Sequence, residues 1–514
     1  MKFKNILKHP VLPYLVLIVF SALILIPLLK TGFPVTDDGT WMIIRLSAFY
    51  QSLREGQFPV RYLGRLNHDY GYPVSNFLYP GFLYLGSVIK LAGFNFVDSV
   101  KVIMIGSIIG TAFFTYLWLK KYFGPLNSLI SAISLIFAPY ILFDIYKRGS
   151  VGEILAVFCA TLIFYLISRG YIYLSAFIFG ILVISHNTIA LFFTACFILF
   201  ILIYKRYDLL KVLLFGLGLS AFFWIPALVE KQYVRFDAVS VSDPLQYTVF
   251  GPYVYLISLA PLLSGLFLVI FRSKETKLKE TKSVLALFFV SLLIATPLSY
   301  PLWINSAFAR FIQFPYRILV IFVISGSWLM AKFLSDIPKS HKTVTLILFS
   351  GIILFQAYLV IRQVRIQNYA EGYYTTNEAT TTVSDEYMPV WVSKAPESRP
   401  VNKIQDISGS VEIKILKSTT QSIRAEINAS TNSRIQINSI FYPGWGIVLN
   451  DELQKIEYNN SGGLMQINVP QGKHILFAEF RETGMRFLAD LISFSSFIAL
   501  VVLMFAVKNH GNPK

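Results

Sequence analysis

The chain has 514 residues, 55% of them hydrophobic and 16% aromatic, with a mean hydropathy of +0.60. Its net charge of +17 lies in short loops between long apolar runs. That is the pattern that orients a membrane protein, and it argues against a nucleic-acid binder. The two cysteines, Cys159 and Cys196, fall inside apolar runs and carry no information on disulfides.

The first apolar run, Val11 to Leu29, follows a start bearing Lys2, Lys4 and Lys8. It is long for a signal peptide and has no small-residue cleavage site, so it reads as an uncleaved span. Basic stretches at 205–211, 271–282 and 332–342 mark cytoplasmic loops. Between these anchors, hydropathy predicts twelve crossings near 11–29, 98–118, 126–143, 154–168, 171–185, 188–204, 212–228, 251–271, 283–299, 316–333, 343–361 and 484–507. Both termini then lie inside. Residues 77–94 are apolar but contain Pro80, glycines and Lys90. A crossing there would invert every later loop, so they are expected to lie in the membrane interface as part of the first external region, 30–97.

Polar residues that are costly at membrane depth collect on the external side of this topology. Asp37 and Asp38 follow the first span. Arg148 and Glu153 ("YKRGSVGE") follow the third. His186 and Asn187 ("SHN") join the fifth and sixth. Arg310, Gln313 and Arg317 ("SAFARFIQFPYR") precede the tenth. Each also has an ordinary structural reading: a helix cap for the acids, an ion pair for Arg148 with Glu153, a satisfied polar group for His186 and a snorkelling cation for Arg317. After the acids, Met42, Leu46, Phe49, Tyr50 and Leu53 share one helical face, and Arg45, Gln51, Ser52, Arg54 and Glu55 the other. This suits an amphipathic helix on the outer membrane surface, although an ordinary packed helix fits as well.

Residues 362–483 are too polar for a membrane. The part up to about 400 is irregular. From 408 to 480 the runs "SVEIKILKS", "QSIRAEIN", "SRIQINSI", "GLMQINV" and "KHILFAEF" alternate with period two between turn residues. They predict a small antiparallel β-sandwich that covers the site, binds acceptor or serves as packing. The predicted protein is therefore mainly α-helical and polytopic. It has a membrane domain over 1–361, an external β-sandwich over 362–483, and a last span with its tail over 484–514.

The acidic pair in the first external loop, the helix after it and the many spans resemble the GT-C superfamily of membrane glycosyltransferases. "DDGTW", "RGSVGE", "SHN", "QFPYR", "EYMPVW" and "FYPGWGIVLN" in this order resemble a bacterial multispanning family labelled "6-pyruvoyl-tetrahydropterin synthase-related" membrane protein. The pterin chemistry in that label needs a zinc-binding histidine cluster, and the six histidines here are scattered. The resemblance implies transfer of a sugar from a polyprenyl-phosphate donor to an acceptor hydroxyl at the outer face of the plasma membrane. The acceptor would be an envelope glycan, lipid or protein. Asp37 is implied as general base, with Asp38 as the near-equal alternative. Glu153 is implied as the second-loop acid that orients acceptor or binds a cation. Arg148, His186, Arg310 and Arg317 are implied as donor or phosphate ligands, with Arg317 favoured. Family members work with or without metal, so Asp37, Asp38 and Glu153 are also a candidate set for Mg or Mn. Two rival classes are a transporter or flippase of a lipid-linked saccharide and a non-catalytic scaffold for envelope assembly. The polar residues gather at one face and the chain has no clear internal repeat, which favours the enzyme.

Overall fold

A computed structural model describes residues 10–236, 241, 243–271, 279–304 and 307–509. The lysine-bearing start, the middle of the basic loop at 271–282 and the end of the tail lie outside these residues. Among the described residues, eight helices are long and apolar enough to cross a membrane: Leu12–Leu29, Phe96–Phe123, Pro125–Arg148, Val151–Ser168, Asn187–Tyr204, Pro315–Asp336, Lys339–Ile361 and Gly484–Ala506. Two further pairs are bent, Tyr207–Leu219 with Ala221–Tyr233 by 67° and Lys279–Ile294 with Pro297–Trp303 by 83°. The count rises to ten if each bent pair is one span. The chain is thus a multi-pass membrane protein.

The other two predicted crossings rest on shorter helices, Ile172–Ser185 and Leu259–Ile270. The latter has 12 residues, where an apolar run reads as a span over 251–271. At 1.5 Å per residue it rises only about 18 Å, against a hydrocarbon core of about 30 Å. Residues Val254–Leu256 before it form a separate 3-10 turn that apolar composition alone does not reveal. Within the bent pair, Pro226 has no N–H for the carbonyl of Phe222. The guanidinium of Arg61 takes that carbonyl instead, while Nε and Nη2 of Arg61 bind Glu482 and Asp490.

The helix after the acids, Gly39–Arg54, does not lie on a membrane surface. Both of its faces are largely covered, and Arg45, which the surface reading exposes, is buried. Its guanidinium donates to the hydroxyl and carbonyl of Thr381, so this is a packed helix. The apolar segment 77–94 contains the 11-residue helix Gly81–Leu91, which is too short to span. It packs on the acid-bearing helix at Gly86, where a Cβ would meet the Leu46 side chain at 2.8 Å.

The first external loop and the C-terminal region meet through a short antiparallel pair, β1 (Phe33–Pro34) with β2 (Ile366–Gln367). Eight further strands build the predicted sandwich: β3 (Ile404–Ser408), β4 (Val411–Ser418), β5 (Ser422–Ala429), β6 (Ser433–Ile440), β7 (Trp445–Leu449), β8 (Glu452–Leu453), β9 (Leu464–Val469) and β10 (Gly472–Phe480). One sheet has the order β4-β5-β10-β7-β8 and the other β3-β6-β9. Ile423, Ala425 and Ile427 of β5, Ile435 and Ile437 of β6, and Leu476 and Ala478 of β10 alternate into the space between the sheets. The period-two pattern in the sequence is this burial. Tyr62 of the first loop joins the same core, stacks on Phe480 at 5.1 Å and donates to the carbonyl of Ile440.

A buried ionic clasp fastens four segments. Glu230 accepts from Nε and Nη2 of Arg486, both at 2.7 Å, from the Tyr442 hydroxyl at 2.8 Å and from the Asn76 amide at 2.8 Å. It thereby joins the helix Ala221–Glu230, the last helix, the sandwich and the first loop.

Candidate functional site

The site begins at a break in the third span. The helix stops at Ala138-Pro139 and resumes. It then closes with a π-helical turn, Asp144–Arg148. Such turns recur at functional sites because they re-aim side chains. Gly149 follows at φ +67°, a conformation that favours glycine. A Cβ there would also strike Thr36 Oγ1 at 2.4 Å and Gly39 Cα at 2.9 Å. This closeness lets the acid pair dock on the turn. The N–H of Asp37 donates to the carbonyl of Lys147 and that of Asp38 to the carbonyl of Arg148, each at 2.8 Å.

Thr36, not an aspartate, accepts the N–H of Gly39 at the helix start, at 3.0 Å. The cap reading of the acids therefore fails, and both carboxylates face cations. Asp37 pairs with Lys147 at 2.8 Å and is 49% exposed. Asp38 pairs with Arg148 at 3.2 Å and is 29% exposed.

Behind this pair sits Glu153, with no exposure at all. One oxygen meets Arg317 Nε at 3.1 Å, Arg148 Nη1 at 3.3 Å and His186 Nε2 at 3.4 Å. The other accepts the Tyr140 hydroxyl at 3.2 Å. A buried carboxylate survives only with such compensation. Asp38, Arg148, Glu153, His186 and Arg317 thus form one constellation out of loops spread over 280 residues. The side chain of Arg310 lies outside the described part of the structure.

His186 caps the helix Asn187–Tyr204 by accepting the N–H of Ile189 at Nδ1. Nε2 then carries the proton that faces Glu153. Burial pushes the imidazole pKa down to about 3, against the pull of Glu153, so the ring is neutral. Both ring nitrogens are engaged inside the protein. In this structure His186 therefore faces Glu153 and the start of its own helix, whereas the resemblance implies a phosphate ligand there.

Arg317 also donates from Nη1 to the carbonyl of Ile312 at 2.8 Å and to Gln313 Oε1 at 2.9 Å. Two guanidiniums share the Phe314 ring, Arg148 at 5.3 Å and Arg317 at 5.0 Å from its centre. The quadrupole of the ring helps to hold two like charges close together. Gln313 adopts φ +66°, which costs a non-glycine residue about 1 kcal/mol or more. Gln313→Gly is therefore expected to be more stable than Gln313→Ala by about 1 kcal/mol, the reverse of the usual helix and strand order. Thermal unfolding of the two variants in nanodiscs checks this.

Lys147, Tyr140, Asp144, Phe314 and Tyr316 belong to the site but escape the sequence reading. Asp144 had a usable signal, a carboxylate in an apolar run. It is fully buried and neither of its oxygens meets a donor among the described residues. A cavity of about 340 Å³, bordered by Gln246, Tyr247, Pro252 and Tyr253, opens beside the Phe314 and Tyr316 rings. Tyr253 packs on Tyr316 at 5.1 Å and Tyr247 on Phe314 at 4.7 Å.

Asp37, Asp38 and Glu153 do not fit a shared divalent cation. Each faces a basic side chain, and Glu153 is enclosed by its own partners. Among the described residues, no three His, Cys, Asp or Glu side chains are grouped as a metal site.

No family model matches the chain, and no curated protein matches it in sequence. Among solved structures, the chain is similar to the arabinofuranosyltransferase AftD from Mycobacteria, with TM-score 0.45 and 15% identity over 67% of this chain and 26% of that one. It is also similar to the Archaeoglobus fulgidus oligosaccharyltransferase tethered with an acceptor peptide, with TM-score 0.39 and 14% identity over 72% of this chain and 56% of that one. The chain thus matches about a quarter of the length of the first and little more than half of the second. These are likenesses of chain course.

Proposed function

We propose that this protein is a membrane glycosyltransferase of the GT-C type. It moves a sugar from a polyprenyl-phosphate donor to an acceptor hydroxyl at the extracytoplasmic face of a bacterial plasma membrane. One observation carries the reading: two partly exposed carboxylates are locked by backbone hydrogen bonds onto the turn that presents Lys147 and Arg148. Glycosyl transfer needs that combination, a base for the nucleophile and cations for the leaving phosphate.

In this mechanism the acceptor oxygen bonds to the anomeric carbon and gives its proton to Asp37. The bond between that carbon and the phosphate oxygen breaks, and its electron pair leaves with polyprenyl phosphate. Lys147 and Arg148 take the phosphate charge. Glu153 holds the Arg148 guanidinium from behind and is itself held by Arg317 and His186. Arg317, the cation that the resemblance favours for the phosphate, is turned inward to Glu153, Ile312 and Gln313 and acts through Glu153. Asp38 is the alternative base, and its pairing with Arg148 suits an orienting role better.

The test uses protein in nanodiscs with a panel of polyprenyl-phosphate monosaccharides, with and without EDTA, following release of polyprenyl phosphate. Asp37→Asn is expected to lower turnover by about 10²–10⁴-fold at unchanged expression. Full activity in Asp37→Asn would remove the base assignment. No release from any donor by the wild-type protein would remove the enzyme.

A further inference from the structure

A second cavity, of about 310 Å³, lies away from this chemistry. It opens between the far end of the acid-bearing helix, at Gln51, the first-loop residues Arg65 and Asp69, and the segment carrying Thr375, Glu378 and Arg399. Gln51 stands 13 residues beyond Asp38, about 20 Å along that helix.

The lining alternates donors with acceptors. Arg399 reaches Glu378 at 3.3 Å and Asp69 at 3.6 Å, yet 65% of its side chain is exposed. Arg65 is held more tightly, by the carbonyl of Thr375 and the hydroxyl of Ser47, both at 2.6 Å. Gln51 accepts loosely from Arg65 at 3.4 Å.

The backbone of this wall is unusual. Asn67, His68 and Asp69 are three successive non-glycine residues at φ +59°, +56° and +68°. Such a run persists only where the surroundings over-determine it, and ligand clamps are one such setting. Here the carbonyl of Glu378 accepts the N–H of His68 at 2.9 Å, and Lys403 grips both the carbonyl and the carboxylate of Asp69. The strained run thus presents the Asp69 carboxylate to the same open space that the Glu378 carboxylate and the loosely paired Arg399 guanidinium border.

We infer that this cavity docks the acceptor as a saccharide, holding sugar units remote from the one that reacts. Each hydroxyl of a sugar both donates and accepts, so it needs carboxylate and guanidinium or amide partners side by side. A purely anionic ligand would meet Asp69 and Glu378. An apolar chain would leave the whole lining desolvated and unpaired. The cavity is bounded by the first loop and the 362–400 segment together, so acceptor docking gives the external region a task beyond covering the site. The inference rests on the proposed transferase activity for the word acceptor, but not for the binding itself.

The experiment is saturation-transfer NMR on the full-length protein in nanodiscs, without donor. The probes are a defined panel of hexose, pentose and uronate di- to tetrasaccharides. At least one probe is expected to bind saturably, and Arg399→Ala and Glu378→Gln should each weaken that binding by about tenfold or more. Asp37→Asn should leave it in place, so a failed transfer assay and a failed docking site read out separately. Absence of binding across the panel overturns the inference. So does binding that both cavity variants leave unchanged.

Discussion

Glu153→Gln should cost about 3–5 kcal/mol of stability and lose nearly all turnover. The carboxylate is fully buried and neutralises Arg148 and Arg317, whose side chains are 6% and 8% exposed. Removing one partner of a buried ion cluster leaves uncompensated charge, which costs far more than the intact pair contributes. Thermal unfolding in nanodiscs measures the first effect and polyprenyl-phosphate release the second. A double variant, Glu153→Leu with Arg317→Met, separates them. It removes opposite charges together and replaces them with apolar volume, so much of the stability should return. Turnover should not return, because Arg148 would have lost the carboxylate that fixes it from behind and would keep as polar partners Asp38 and the Tyr316 hydroxyl. Recovery of both would mean that the inner layer is structural only.

Glu230→Ala should be comparably severe for a different reason. It strands Arg486, which is completely buried, and removes the acceptor for Tyr442 and Asn76. The expected loss is again about 3–5 kcal/mol. It should appear as loosening of the sandwich from the membrane helices. Hydrogen exchange should rise at the start of the last helix, near Arg486, and around Tyr442, ahead of the sandwich core. Wild-type exchange in both places would show that the hydrophobic contacts of Tyr62 hold the sandwich without the clasp.

Much of this architecture was legible from elementary costs. A run such as Val151–Ser168 must be helical because a membrane supplies no hydrogen bonds to the backbone. Ile423, Ala425 and Ile427 alternate because successive side chains of a strand face opposite ways. Asp38, Arg148, Glu153, His186 and Arg317 stood out because each is expensive at membrane depth, and they do meet. What stayed hidden depends on partners distant in sequence. Arg45 reads as a surface residue until Thr381, 336 residues later, is seen to receive it. His186 reads as a satisfied polar group, but its partners, Ile189 and Glu153, are seen only in the fold. Phe314 carries no signal of its own until two guanidiniums are found against it. The apolar stretch before Leu259 gives no sign that it is a turn beside a cavity, because composition does not separate a short helix from a long one.

The clasp at Glu230 also sets an order of assembly. Its guanidinium partner, Arg486, is synthesised 256 residues later. At about 5–20 residues per second, the carboxylate waits roughly 10–50 s on the ribosome for its counter-charge. During that interval Glu230 has the Asn76 amide of the first loop but no counter-charge, and burying it in that state is costly. The last helix is therefore the closing piece of the clasp: until it inserts, first-loop contacts such as those of Tyr62 tie the sandwich to the membrane helices, and quality-control proteases would meet a looser seam there.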